Sequence, residues 1–126
     1  MPDLAALAFL CASRVAVDGD TLRCRDEGLV RLLAIDAPEL PGHCRRGRQC
    51  TPGDPFASKA NLERLIRRAA VQCSTSGRDR YRRILARCRA GPIDLSCAHI
   101  AAGFAVERYS KAHCSRERCD RAIQTD

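Results

Sequence analysis

Residues 29–39 read Leu-Val-Arg-Leu-Leu-Ala-Ile-Asp-Ala-Pro-Glu, and this stretch is the most informative one for predicting the fold. Residues 29–35 form a mostly apolar run, which predicts a buried strand that a proline then ends. A charged residue, Arg31, lies inside the run, and two carboxylates, Asp36 and Glu39, follow it three residues apart. A guanidinium in a core strand has to meet an anion or extend its charged end into a cleft. Taken alone, the pattern favours a structural ion pair.

The remainder of the chain predicts short strands, one helix inserted among them and a second helix near the end. Asp54 and Pro55 mark a helix start that apolar residues at helical spacing follow, and Asp94 begins a second helix that runs to residue 102. Strands are expected over residues 4–11, 12–17, 21–25, 71–74 and 81–89, with an extended segment over 104–109. For residues 4–11 the alternative is the remnant of a signal peptide. This order indicates a mainly β fold with helices (α+β), namely a five-stranded OB-like Greek-key barrel with two or three packed helices.

Size and charge limit what the protein can be. The chain has 126 residues, enough for one domain with a modest core, which we place at residues 1–111 with a short charged tail over 112–126. The net charge of +7, carried mainly by arginine, favours an anionic partner and leans toward phosphate groups. Three Phe, two Tyr and no Trp argue against a module that binds single strands purely by base stacking. No stretch is long enough to span a membrane, and we expect a monomer.

The chain contains nine cysteines, an unusual number for its length. The count suggests an oxidising compartment, so we expect a secreted or periplasmic protein, with the cytoplasm as the alternative. Cys44 and Cys50 bracket a basic loop, and Cys114 and Cys119 lie close together in the tail, so each pair is a candidate disulfide. Zinc is a weaker interpretation, because no C-x2-C pair occurs and the three histidines are scattered. Three other cysteines alternate with polar residues in predicted strands and are expected to be small buried thiols: Cys24, Cys73 and Cys88.

Two further motifs carry charge. Residues 18–21, Asp-Gly-Asp-Thr, connect two predicted strands and on their own indicate an ordinary hairpin turn, in which Asp18 has a turn role. Residues 78–83, Arg-Asp-Arg-Tyr-Arg-Arg, lead into a later strand and on their own indicate a charged turn. Together with residues 31–39, however, they resemble the staphylococcal nuclease family in order, spacing and chemistry over about residues 15–109. The resemblance implies the same five-stranded barrel and a nuclease activity.

The resemblance also implies a calcium site and roles for individual residues. Calcium would be held by Asp20, Asp36 and the backbone carbonyl of Ala37, an incomplete cage of hard oxygen ligands that leaves room for water and phosphate. Glu39 would act on the attacking water, as general base or as its positioner. Two arginines would grip the phosphate oxygens, where negative charge grows in the transition state: Arg31 and Arg83. Further substrate contacts would come from three residues, the tyrosines having half-buried packing as their alternative role: Arg80, Tyr81 and Tyr109.

The leading prediction is therefore a calcium-dependent nuclease that hydrolyses DNA, RNA or both. Two alternatives remain: a barrel of related fold that binds nucleic acid or protein without catalysis, and a cysteine-stapled secreted domain. The retained carboxylates and arginines speak against the first, and residues 31–39 have no explanation under the second. One departure from the family pattern bears on activity, because Arg82 occupies a position that is usually glycine. If that position needs a left-handed backbone, Arg82 adds strain or shifts Arg83.

Overall fold

The computed structural model describes residues 8–12, 14–44, 47 and 49–114. Within these residues the chain forms short strands and two helices. In chain order the elements are β1 (Ala8–Leu10), β2 (Val15–Ala16), β3 (Thr21–Cys24), β4 (Gly28–Leu32), β5 (Ile35–Asp36), α1 (Pro55–Ile66), β6 (Val71–Arg78), β7 (Ile84–Ala90), β8 (Ile93–Asp94), α2 (Leu95–Ala101) and β9 (Val106–Glu107). Neither helix is long and apolar enough to cross a membrane.

The strands form one mixed sheet and one small separate pair. The main sheet has the order β1-β6-β7-β4-β3-β2, with β8 paired to β7, while β5 pairs with β9. The β4–β7 pair is parallel and all the others are antiparallel. The edge strands β1 and β2 are consecutive in the chain, so the sheet curls back on itself, but among the described residues no strand ladder closes it. The fold is thus the predicted OB-like α+β type, built on an open sheet instead of a closed barrel.

The apolar run over residues 29–35 is not a single strand, contrary to the prediction. β4 ends at Leu32, and the chain turns through Leu33 and Ala34 before β5 begins. Ala34 has a left-handed backbone (φ 69°), and its carbonyl oxygen accepts a hydrogen bond from the backbone N–H of Arg108 (3.0 Å). Periodicity could not reveal this break, because the turn residues are as apolar as the strand around them. The turn matters for the site, since it directs Asp36 back toward Arg31.

Both predicted helices are present, and both begin at the expected aspartate. Asp54 Oδ1 accepts hydrogen bonds from the N–H groups of Phe56 (2.9 Å) and Ala57 (3.2 Å) at the start of α1. Asp94 Oδ1 accepts one from Cys97 N–H (2.9 Å) at the start of α2. Such side-chain caps satisfy backbone donors that the first helical turn leaves open. The helices pack against each other, with α1 also against β2 and α2 against β7.

The core lies between the curled sheet and the two helices. Its largest fully buried apolar side chains come from the strands β3 to β6 and from both helices: Leu22, Val30, Leu32, Ile35, Leu62, Leu65, Ile66, Val71 and Leu95. Disulfides supplement this small core, as is usual where a short chain cannot bury enough apolar surface.

Four disulfides join described residues. The structure pairs Cys44 with Cys50 across the basic loop. The expectation of free buried thiols was wrong: Cys73 is bridged to Cys88 on the neighbouring strand, and Cys24 of β3 is bridged to Cys11, which follows β1. Cys114 pairs with Cys97 of α2 and not with the predicted Cys119, which lies outside the described residues. A buried half-cystine and a buried thiol leave the same pattern in sequence, so alternation with polar residues could not distinguish them.

Candidate functional site

A cavity of about 690 Å³ opens where the ends of β3, β4 and β5 meet the turn that precedes β7. All the residues that sequence analysis placed in a catalytic, metal-binding or substrate-binding role line it: Asp20, Arg31, Asp36, Ala37, Glu39, Arg80, Tyr81, Arg83 and Tyr109. The cavity also includes Asp18 and Asp79. Residues nearly 90 positions apart are therefore assembled around one space.

Strand pairing explains how distant motifs meet in this cavity. In the antiparallel β3–β4 pair, Thr21 lies opposite Arg31, so the preceding residue Asp20 lies beside the arginine. In the parallel β4–β7 pair, Arg31 lies opposite Leu85, so Arg83, which directly precedes β7, lies two register positions from Arg31. A parallel pair requires a long crossover connection, which here contains α1 and β6.

The centre of the cavity wall is a buried guanidinium between two carboxylates. Arg31 Nη2 lies 3.4 Å from Asp20 Oδ2 and 3.3 Å from Asp36 Oδ1. Arg31 Nη1 donates a hydrogen bond to the carbonyl oxygen of Leu32 (2.9 Å). All three charged residues are buried, with 8%, 8% and 1% of Asp20, Arg31 and Asp36 exposed. A charge buried to this degree needs partners, and this cluster supplies them internally.

Asp20 is held by its neighbours in the 18–21 turn and by the backbone after Asp36. Its Oδ2 accepts a hydrogen bond from Ala37 N–H (3.1 Å), and its Oδ1 accepts one from the Thr21 hydroxyl (3.1 Å). Asp18 Oδ1 accepts a hydrogen bond from Asp20 N–H (3.0 Å), which is the turn geometry. Burial raises the pKa of Asp20 to about 6, against the opposing effect of Arg31. A cation beside this carboxyl would reverse that shift.

The turn is also held from below, where Gly19 lies against α1. A Cβ at Gly19 would lie 2.1 Å from Ser58 Oγ and 2.6 Å from the Ala37 Cβ, so only glycine fits. Ser58 Oγ contacts His99 Nε2 (3.0 Å), and Asn61 Nδ2 contacts His99 Nδ1 (2.8 Å). Because the amide of Asn61 donates to Nδ1, the imidazole is neutral with its proton on Nε2. Burial lowers the pKa of His99 to about 4, which keeps it neutral.

The second charged feature of the cavity is the arginine-rich turn over residues 78–83. Asp79 Oδ2 pairs with Arg83 Nε (2.8 Å), and Asp79 Oδ1 accepts hydrogen bonds from the N–H groups of Tyr81 (2.9 Å) and Arg83 (3.0 Å). These bonds lower the pKa of Asp79, although its partial burial acts in the opposite direction. Arg82 has φ 68°, so the position does adopt the left-handed backbone that glycine prefers. Arg83 nevertheless lines the cavity.

Two exposed tyrosines flank the opening. Tyr81 is 49% exposed, with the guanidinium of Arg80 5.0 Å and that of Arg83 5.6 Å from its ring centroid. Tyr109 is 69% exposed, and Arg31 lies 6.0 Å from its ring centroid. Both rings are too exposed to be core packing residues, and arginine guanidinium groups lie over each of them.

Sequence analysis missed three residues that hold the charged groups of the site. Asp79 holds Arg83, as described above, and its place in the quoted 79–83 motif was the available signal. Thr51 and Arg108 both donate to Asp36 Oδ2, at 2.6 Å and 3.0 Å. Neither had a signal, because each reaches Asp36 only through the tertiary fold.

The donors in the cavity suit a hard cation. Asp20 and Asp36 approach the same guanidinium nitrogen and Ala37 follows directly, so carboxylate and carbonyl oxygens, the ligands that calcium prefers, lie close together here. Within the described ranges, no three or more His, Cys, Asp and Glu side chains are grouped so that they could hold one metal ion. Protein ligands would therefore form only part of a coordination shell, with water and substrate completing it. Glu39 lines the cavity and is half-buried.

Comparison with known proteins identifies the family. The family model described as staphylococcal nuclease homologue matches residues 29–125, which is most of the chain. No curated protein matches the chain.

Proposed function

We propose that this chain, which belongs to the staphylococcal nuclease homologue family, is a phosphodiester hydrolase that cleaves DNA, RNA or both with calcium as its metal. The family supports a nuclease-like hydrolase that acts on nucleic acid. One observation carries the finer proposal: three carboxylates and two arginines suited to the reaction line a single cavity, although they come from three separate segments of the chain.

The two arginines are suited to binding the phosphate. Arg31 is fixed by its buried carboxylate partners, and Arg83 is fixed by Asp79 at the cavity edge. Guanidinium groups held in place before the reaction stabilise the negative charge that grows on the phosphate oxygens in the five-coordinate transition state. Removing one such donor typically costs about 3 kcal/mol of barrier.

Glu39 is the residue we assign to the attacking water. It lines the cavity and lies three residues after Asp36, at the end of the 29–39 segment. As general base or as positioner, it would accept the proton of a water molecule aligned with the phosphorus atom. Direct attack by water needs no 2′-hydroxyl, so the proposed chemistry does not depend on which of the two nucleic acids is the substrate.

Calcium would be held by Asp20, Asp36 and the carbonyl oxygen of Ala37. When bound, it supplies a positive charge that orients the phosphate and neutralises part of its charge. Burial raises the pKa of Asp20 to about 6, which opposes ionisation but still lies below 7, so most of the carboxyl is ionised at pH 7, as an oxygen ligand must be.

The rest of the opening supports a polyanionic substrate. Arg80, Tyr81 and Tyr109 offer one cation and two accessible rings beside the arginine pair, suited to a neighbouring phosphate or base. The net charge of +7 adds a long-range attraction that salt would weaken. Four disulfides among the described residues are typical of an oxidising compartment, and we propose that the protein acts outside the cytoplasm as a monomer.

A binding module without catalysis is the second candidate, and one observation favours it. Each oxygen of Asp20 and Asp36 already accepts a hydrogen bond or ion pair from this chain, so calcium would have to share those oxygens with protein donors.

The test is incubation of the purified chain with labelled single-stranded DNA and with RNA, in calcium and then in excess chelator. We expect shortening of both substrates in calcium and none in chelator. Tight binding that weakens with salt, without any cleavage in calcium, would contradict the hydrolase and favour the binding module.

A further inference from the structure

The contacts of Asp36 are divided between its two oxygens. Oδ1 faces the site and lies 3.3 Å from Arg31 Nη2. Oδ2 accepts two hydrogen bonds from outside the predicted catalytic set, from Thr51 Oγ1 (2.6 Å) and from Arg108 Nη1 (3.0 Å). The side chain of Asp36 is only 2% exposed, so protein groups take the place of water around it.

Arg108 connects three segments at this point. Its Nη1 donates to Asp36 Oδ2 and also to the carbonyl oxygen of Gln49 (3.1 Å). Its backbone N–H donates to the carbonyl oxygen of Ala34 in the turn before β5 (3.0 Å). The neighbouring ring of Tyr109 lies 5.2 Å from its guanidinium carbon. One arginine therefore fixes the aspartate, the turn that directs it and the end of the basic loop.

Thr51 holds the same oxygen from the loop side. It directly follows Cys50, whose disulfide to Cys44 closes the loop into a small ring. Thr51 is 9% exposed, and its hydroxyl has the shorter of the two contacts to Oδ2. The hydroxyl is thus presented by a covalently restrained segment, which keeps the entropy cost of the contact low.

We propose that Thr51 and Arg108 are positioning residues that fix the carboxylate of Asp36. Oδ1 is then directed to the metal and phosphate, while Oδ2 stays hydrogen-bonded to Thr51 and Arg108. A carboxylate without such partners can rotate and exchange its two oxygens. Partners behind a metal ligand commonly change metal affinity by 10- to 100-fold when they are removed. The inference rests on the proposed function, since it assigns a role toward the same calcium ion.

The charge of Arg108 complicates a simple deletion. A guanidinium beside Asp36 orients the carboxylate but also repels a calcium ion, so its removal would combine two opposite effects. Substitutions that keep the charge separate them. Thr51→Val removes only the hydroxyl, and Arg108→Lys keeps the charge but replaces the planar guanidinium, whose Nη1 donates to both Asp36 Oδ2 and the Gln49 carbonyl, with a flexible ammonium that is less preorganised.

The experiment is calorimetric titration of calcium into the oxidised full chain and into each variant, without substrate. We expect calcium Kd to rise about 10-fold for Thr51→Val and for Arg108→Lys. Thr51→Ser keeps a hydroxyl and should bring Kd back to within about 3-fold of the wild type. DNA affinity in chelator should stay unchanged in all three, because the arginines that bind phosphate are intact.

Matched controls come from the same chain. Thr75→Val removes a hydroxyl that donates to the carbonyl oxygens of Gly77 and Leu85, and Arg87→Lys alters an arginine paired with Asp94 Oδ2 (2.6 Å). Neither Thr75 nor Arg87 lines the cavity, so calcium Kd should not change. Thermal unfolding of every variant separates a loss of fold from a loss of affinity.

The outcomes distinguish this inference from the proposed function. A wild type that binds calcium and cleaves DNA, with both Thr51→Val and Arg108→Lys folded and equal to it in Kd, would overturn the positioning role alone. A wild type that neither binds calcium nor cleaves would overturn both. Weaker binding in the two variants, with rescue by Thr51→Ser and no effect of the controls, would establish it.

Discussion

Two arginine–carboxylate groups face the same cavity, and they are built differently. Arg31 is buried between Asp20 and Asp36, on strands whose backbone is fixed by the sheet. Arg83 stands on a turn, has 28% of its side chain exposed, and is paired with one carboxylate, Asp79, whose other contacts are backbone N–H groups of the same turn. The first group is part of the core of the protein, whereas the second is attached to its edge.

The difference in burial gives the two arginines different effects on stability and activity. A buried ion pair is costly to break, because its partners remain charged and unsolvated, so Arg31 should determine stability and activity together. A partly exposed pair contributes little to stability, since water screens it. Substitution of Arg83 should therefore lower activity with little effect on stability.

The largest contrast is expected between Arg31→Met and Arg83→Met. At pH 8 we expect Arg31→Met to lower the free energy of unfolding by about 3 kcal/mol and to abolish cleavage. Arg83→Met should lower it by about 1 kcal/mol or less while cleavage slows on the order of 10²- to 10³-fold. Urea unfolding and initial cleavage rates measure the two effects. Equal losses of stability in the two variants would remove the distinction between the regions.

The pH dependence of stability tests the buried region by itself. His99 has its pKa lowered from 6.5 to about 4, so its contribution is lost as the pH falls from about 6.5 to 4. Asp20 has its pKa raised from 3.8 to about 6, so its contribution is gained as the pH falls from about 6 to 3.8. Each contribution is roughly 3 kcal/mol and the signs are opposite, so we expect them nearly to cancel.

Variants should expose the two opposing contributions. In chelator, the unfolding free energy of His99→Gln should rise as the pH falls from 6.5 to 4, because of the two opposing groups this variant keeps only Asp20. That of Asp20→Asn should fall over the same range, because only His99 remains. Urea unfolding at half-unit steps of pH measures both curves. Parallel curves for the two variants would show that these groups do not control acid stability.

Gly19 tests how the buried region is supported. We expect Gly19→Ala to destabilise the fold by about 2 kcal/mol and to impair cleavage, because the new Cβ collides with Ser58 and displaces Asp20. Gly28→Ala is the control: its Cβ would meet nothing within 4 Å, so only the left-handed backbone (φ 79°) costs about 1 kcal/mol. Cleavage by Gly28→Ala should be unchanged. A Gly19→Ala variant as active as this control would contradict the supporting role.

The smallest effect is expected at Arg82 in the exposed turn. Because Arg82 has φ 68°, Arg82→Gly relieves left-handed strain and should stabilise the fold by roughly 0.5 kcal/mol, after the entropy cost of glycine is subtracted. Thermal unfolding measures the gain. Cleavage should increase or stay equal if the strain at Arg82 disturbs Arg83. A clear loss of cleavage in a stabilised variant would instead assign substrate contact to the Arg82 side chain.

Much of the fold and of the site's membership follows from local patterns. The helix caps at Asp54 and Asp94 are short-range signals, and both helices begin where these signals place them. The three charged motifs meet in one cavity because strand pairing, which motif order and the family resemblance imply, brings their ends together. Their catalytic and metal-binding roles remain predictions.

What sequence reasoning missed depends on long-range geometry. The turn at Ala34 is hidden in an apolar run, and Arg108 and Thr51 reach Asp36 from 72 and 15 residues away. Disulfide partners such as Cys97 and Cys114 are set by where helix and tail meet in space. Neither periodicity nor spacing contains that information, because each contact forms only after the sheet has folded.

The role of Glu39 in hydrolysis is tested most directly by a comparison of wild type and Glu39→Gln in calcium, with turnover and DNA affinity determined separately. We expect turnover of the variant on single-stranded DNA to fall by about 10²- to 10⁴-fold, while its DNA Kd changes less than about 3-fold. The reason is that Glu39 acts on the water and not on the charge of the substrate. Loss of turnover and affinity in equal proportion, or full turnover in the variant, would contradict it.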